Sequence, residues 1–342
     1  MAQNEISSSV SILDDSGWPR NFGWARQPYF FYDPGLLWAP RRKLSEADRY
    51  IVFSPTHLLI MEIRDDGMLG SLGITVISLK DRKRSTHVHF TPFSLGSFDL
   101  PPASDKGSIR IERKKCMLHF VTMEGGVRII KADFANFGHN RSLRGELVLS
   151  CPSGAESLVT TVPWRREKNA FRYSRRSPWY IVEGVVQIGS TELVFTRGNA
   201  WGIFDWNRGV RPRADVRYWA AGCGTHNGRQ LSFSVGYGSS DSSLGTDNAF
   251  FLGGKLNKLD QVTFHINPGN WLIPWRFTSN DNRLEMTFTP HQERIQRDRM
   301  FFFSQTRRQV CGFFSGKTLC DDGSVVEFRN ITGFAERCRS HF

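Results

Sequence analysis

No run in the 342-residue chain approaches the ~18 consecutive apolar residues that a membrane-spanning helix needs, so no transmembrane segment is expected. The opening residues, Met1-Ala2-Gln3-Asn4-Glu5, lack the basic and apolar regions of a secretory signal, and the expected compartment is the cytoplasm. Cysteine is sparse. Cys116, Cys151, Cys223, Cys311, Cys320 and Cys338 have no short paired spacing, which argues against a zinc site or a small disulfide scaffold and predicts reduced thiols. The chain also lacks a Walker loop, a dinucleotide glycine fingerprint and a serine nucleophile elbow, so no cofactor is expected. No metal is expected either: His87 and His89 share a strand face, but no third ligand lies close in sequence.

Long helical heptads are missing too. In their place stand runs rich in Val, Ile, Phe, Thr and Gly, separated by turn signals such as Asp65-Asp66-Gly67 and Glu124-Gly125-Gly126. Twenty-seven phenylalanines and ten tryptophans supply bulky core material. The pattern predicts an all-β protein of two antiparallel barrels or sandwiches. Residues 1–16, polar and serine-rich, read as a disordered tail; residues 17–160 form the first β domain and 161–342 the second, with the basic stretch Trp164-Arg165-Arg166-Glu167-Lys168 in the junction. The net charge of +12 is spread along the chain and matches no nucleic-acid module, so nucleic acid is not an expected partner. A basic cytosolic surface, or attraction to an anionic ligand or membrane face, suits this charge better. The sequence does not set the oligomeric state.

The densest chemistry lies in the sixteen residues from Phe204 to Trp219, which hold Asp205, Trp206, Arg208, Arg211, Arg213, Asp215, Arg217, Tyr218 and Trp219. Such density fits either a lined pocket or an aromatic rim braced by ion pairs. On the pocket reading Asp205 is a general acid or base and Arg208 its orienting partner, with Trp206, Tyr218 and Trp219 as walls and Arg213 as a ligand contact. Asp247 and Asn248, at the mouth of an apolar strand, would position ligand or water; the alternative is a hairpin-end turn. Glu285 alternates with Arg283 and Thr287 on one strand face. It becomes a second catalytic carboxylate if that face is enclosed and a solvated charge if it is not. Cys223 with His226 is a weak nucleophile pair, more simply a small residue in a tight turn.

Several stretches together resemble the domain-of-unknown-function 2804 family (DUF2804): Phe22-Gly23-Trp24-Ala25-Arg26, Asp205-Trp206-Asn207-Arg208-Gly209, the Gly236-to-Phe250 segment with Asp247-Asn248, and Asp321-Asp322-Gly323 through Glu336. At fold level that family is similar to the lipocalin-like, two-barrel group of carotenoid hydratases (hydroxyneurosporene synthases) and AttH-like proteins. The resemblance implies acid chemistry in an aromatic cavity, with Asp205 protonating a double bond and indole faces steadying the cation. The four arginines depart from a neutral polyene substrate and imply an end bearing a carboxylate, a phosphate or many hydroxyls. The combined expectation is a protein that binds a hydrophobic or amphipathic small molecule, acting as a cofactor-independent hydratase, isomerase or cyclase. The alternatives are a non-catalytic carrier and a carbohydrate-active enzyme using Asp205 with Glu285.

Overall fold

The computed structural model describes residues 3–138, 141–167, 169–300 and 303–342. Alternating apolar residues and glycine-bearing turns give strands throughout, with three single-turn 3-10 segments and, among the described residues, no α-helix. No helix among them is long and apolar enough to cross a membrane.

Two large antiparallel sheets build the fold. From edge to edge, the main path of the first runs Arg84–Pro92, Leu69–Ser78, His57–Asp65, Glu46–Phe53, Trp201–Val210, Phe171–Ile188, Arg141–Ser150, Arg128–Phe137, Cys116–Thr122 and Ser108–Arg113. The long strand Phe171–Ile188 also pairs with Leu158–Pro163 near its start and Thr191–Phe195 near its end. The sheet curls: the His87 ring sits edge-on to Phe134 at 5.3 Å, bringing one edge strand against Arg128–Phe137. Its concave face encloses a core that includes Tyr50, Phe134, Tyr173, Phe204 and Trp206. The second sheet starts at Ala214–His226, which lies between Arg229–Gly238 and Val325–His341 and continues through Phe303–Leu319 and Leu284–Met300. It wraps a separate core around Phe233, Trp275, Phe277, Phe288 and Phe314.

Strand alternation joins the two sheets. On Glu46–Phe53, Tyr50 and Val52 enter the first core, while Ile51 and Phe53 pack outward with Ile203, Trp219, Cys311 and Phe334. The all-β, lipocalin-like expectation is met. The expected division near residue 160 is not: the chain passes from one sheet to the other between Val210 and Ala214. The basic stretch after Trp164 is a hairpin connection, because the strands it joins pair antiparallel within the first sheet. The expected disordered tail also needs correction over residues 3–16. Ile12 and Leu13 are buried in the first core, Val10–Ser11 pairs with Phe30–Phe31, and Gln3 donates to Leu259 O and Asp260. Ile6 and Val10 pack against the same core, so four aliphatic residues seat a segment that is otherwise polar.

Candidate functional site

Asp205 faces the junction between the sheets and not the first core, because it is paired with Arg49 and Arg176 on the neighbouring strands. It is 1% exposed and lines none of the described cavities. Its Oδ1 lies 3.4 Å from Arg176 Nε and accepts from Asn207 Nδ2 at 3.0 Å. Arg176 continues to Asp247 at 3.0 Å, and Arg172 closes on the same carboxylate. Burial alone would raise the Asp247 carboxyl; Arg172, Arg176 and Arg217 outweigh it and hold the group well below the usual range. Beside this cluster, Arg49 makes a two-pronged pair with Glu336, 2.9 Å on each arm, with Trp219 and Phe334 under its guanidinium. Arg307 and Arg64 grip Glu62 at 3.1 and 3.3 Å. The junction is therefore an apolar patch flanked by buried ion pairs.

Several expected site residues serve as braces here. Arg208 does not orient Asp205: three residues on, it points into the first sheet's core, pairs with Asp48 at 2.8 Å and covers Trp206 at 4.4 Å. Trp206 packs on Tyr173 inside that core, and Trp219 is sealed in the junction with its Nε1 donating to Ser234. Asn248 fixes a hairpin, accepting from Gly236 N at 2.6 Å and donating to Asp260 O at 2.7 Å. Glu285 is exposed and paired with Arg276 at 2.7 Å, so it shares no enclosed site with Asp205. The Cys223 thiol is buried, donates to Pro178 O, and is pushed far up by desolvation. Among the described residues no group of three or more His, Cys, Asp or Glu could hold a metal ion.

Two expected residues, Arg213 and Tyr218, do meet at a cavity of about 750 Å³. Strand register explains it. The pairs Ala214–His341, Val216–Arg339 and Tyr218–Arg337 share one face of the second sheet, while Asp215–Ser340, Arg217–Cys338 and Trp219–Glu336 share the other. On the first face Tyr218 stacks on Tyr237, 4.7 Å apart and nearly parallel, and Phe264 meets Tyr237 edge-on at 5.1 Å. Arg337 and Arg339 rise from that floor, Arg213 stands at its edge, and the hairpin from the first sheet brings Arg165, Arg166 and Glu167 over it. Among the described residues none of these five guanidinium groups is within ion-pair distance of a carboxylate. Glu167 accepts instead from the Arg213 backbone N–H at 2.7 Å.

Asp215 stands where the two faces meet. It lines this cavity and a smaller one of about 60 Å³ behind it, which reaches Arg172, Arg208 and Arg217. Its Oδ1 is buried and has no hydrogen-bond donor among the described residues. Burial raises the Asp215 carboxyl against the pull of Arg217, Arg172, the Ser239 hydroxyl and Arg64. Sequence reading passed over Asp215, Tyr237, Arg337, Arg339 and the hairpin arginines. The available signal was the period-two run Arg337-Cys338-Arg339-Ser340-His341, whose partner strand only the fold supplies.

No curated protein matches the sequence. Among solved structures the fold is similar to CghA, at 13% identity and a TM-score of 0.56 over 100% of this chain and 96% of that one. CghA with Sch210972 aligns at 11% identity and a TM-score of 0.54, covering 88% and 89% of the two chains. An AttH-like protein from Nitrosomonas europaea aligns at 11% and 0.51, covering 86% and 91%. At these identities the likeness is one of fold. The family described as "Domain of unknown function (DUF2804)" matches residues 3–342, and the chain belongs to it.

Proposed function

We propose that the protein binds an amphipathic small molecule with an anionic end in the cavity floored by Tyr218 and Tyr237, and acts on it by proton transfer without a cofactor. One observation carries this reading: five guanidinium groups without carboxylate partners among the described residues line the same ≈ 750 Å³ space as a stacked aromatic pair. The tyrosine faces suit the apolar or aromatic body of a ligand, and the guanidinium forks suit a carboxylate or phosphate. That a protein of the same fold, CghA, is known with the small molecule Sch210972 supports ligand binding by this architecture. The carbohydrate reading loses its carboxylate pair, since Glu285 is exposed and Asp205 sealed.

Anilinonaphthalene sulfonate, aromatic at one end and anionic at the other, is a direct probe. Its fluorescence titration should give saturable binding that weakens about tenfold for each of Arg337→Ala and Arg339→Ala, the loss expected for one hydrogen bond to a charged group. The uncharged N-phenylnaphthylamine should be indifferent to both substitutions. Equal binding of the anionic dye to wild type and variants would remove the reading. Native mass spectrometry of protein from its own host would then identify the natural ligand, and turnover of that ligand separates an enzyme from a carrier.

A further inference from the structure

The charge around the cavity selects the intermediate it can support. Protonating a carbon–carbon double bond builds a carbocation, which the five guanidinium groups lining the cavity would repel. Removing a proton from the carbon beside a carbonyl builds an enolate, which the same groups would stabilise. Hydration through a cation, the chemistry implied by the resemblance, is thus the less suited one. Isomerisation through an anion fits.

Such a reaction needs a base that borders the cavity and is not already ion-paired. Among the lining residues Asp215 is the one carboxylate common to the large cavity and the small one behind it. Glu167 is already committed to the Arg213 N–H. Asp215 has no ion pair within 4 Å among the described residues, and its Oδ1 is enclosed without a donor. Resting on the ligand class above, we propose that the protein catalyses keto–enol isomerisation of an aryl carboxylate carrying an enolisable carbonyl, with Asp215 as the base. Asp215 takes the proton from the carbon beside the carbonyl. The C–H electron pair becomes the new carbon–carbon π bond, and the carbonyl π pair settles on oxygen. The proton then passes from Asp215 to that oxygen, giving the enol; in D2O a deuteron returns to carbon. Nothing is oxidised or reduced, and no co-reactant is consumed.

The setting of Asp215 makes it a stronger base than a free carboxylate. Burial raises its carboxyl, while Arg217 on its own strand, Arg172 on Phe171–Ile188, the Ser239 hydroxyl and Arg64 on His57–Asp65 moderate the rise. Glu167 and His341 are the other titratable groups lining the cavity beside its arginines and tyrosines.

Phenylpyruvate is a suitable probe, with proton-to-deuterium exchange at its methylene carbon followed by NMR in D2O. Wild type should exchange the probe well above the buffer rate, and Asp215→Asn should lower that enhancement at least about 100-fold while still binding the anionic dye. Arg217→Met, which leaves Asp215 in place, should move the rising limb of the pH profile to higher pH, because a cation that lowers the carboxyl is gone. A merely structural Asp215 would leave that limb where it was. Phenylpyruvate exchanging at the buffer rate, or exchange indifferent to Asp215→Asn, overturns the isomerase proposal. Dye binding reports separately on the ligand reading, so the two fail distinguishably.

Discussion

The Arg49–Glu336 pair gives the sharpest quantitative test of how the sheets are held together. Both partners are buried, at 2% and 1% side-chain exposure, and both arms of the fork measure 2.9 Å. Burial alone would raise the Glu336 carboxyl; Arg49 and Arg307 outweigh it and bring the group from 4.5 down to about 2. At 1.36 kcal/mol per pKa unit that depression is worth ~3 kcal/mol. Removing one partner of a buried pair independently costs about 3–5 kcal/mol, since the other charge is left uncompensated. Glu336→Gln should therefore lower unfolding free energy by about 3 kcal/mol at pH 7, read from urea titrations followed by tryptophan fluorescence. The folded-state pKa is depressed, so the contribution is complete above the unfolded value near 4.5 and fades as pH falls toward about 2. The gap between wild type and variant should narrow over that window. A loss under about 1 kcal/mol at pH 7, or a gap that ignores pH, would refute the reasoning.

Three further outcomes follow from the same geometry. Asp205→Asn should cost about 1–3 kcal/mol of stability, because Arg176 keeps Asp247 as a partner, and should leave anionic-dye affinity unchanged; a selective loss of binding would return Asp205 to the site. Glu285→Ala should leave the urea midpoint unchanged within error, since the carboxylate is a surface group beside Arg276. Cys223 and Cys311, whose thiols burial pushes far up and up to about 12 respectively, should resist iodoacetamide in the native protein, while the half-buried Cys151 labels first by peptide mass mapping.

The fold class was legible because strand periodicity and turn residues are local signals. The sheet boundary was not. Arg165 and Arg166 look like a linker in composition, and only the antiparallel pairing of Leu158–Pro163 with Phe171–Ile188 makes them a hairpin. Serine content likewise hid Ile12 and Leu13, which the first core buries and which help seat the N-terminal segment. At the site, density misled. Asp205, Trp206 and Arg208 are neighbours in sequence but alternate between junction and core, so proximity along a strand set them apart in space. Arg213 and Tyr218 reached the cavity, yet their companions Arg337 and Arg339 come from the last strand, and their pairing is a long-range fact.

The residues that carry the family resemblance converge on bracing. Arg26 reaches Glu5, Glu156, Asp321 and Leu256 O; Asp205 and Asp247 share Arg176; Glu336 holds Arg49. Each of these links ties parts of the chain that are far apart in sequence. A buried pair contributes little net stability against an apolar substitute, but leaving one partner alone is costly, so such pairs constrain how the sheets dock. Docking geometry is what the cavity needs, because its floor belongs to the second sheet and its Arg165–Glu167 rim to the first. Ala214–His226 serves both ends with alternate residues: Arg217 and Trp219 face the junction, while Val216 and Tyr218 face the cavity. Substitutions on one parity should therefore change stability with affinity intact, and on the other affinity with stability intact. Asp215, at the first turn of that alternation, borders both the cavity and the smaller space behind it, so its substitution should change stability and proton exchange together while dye affinity holds.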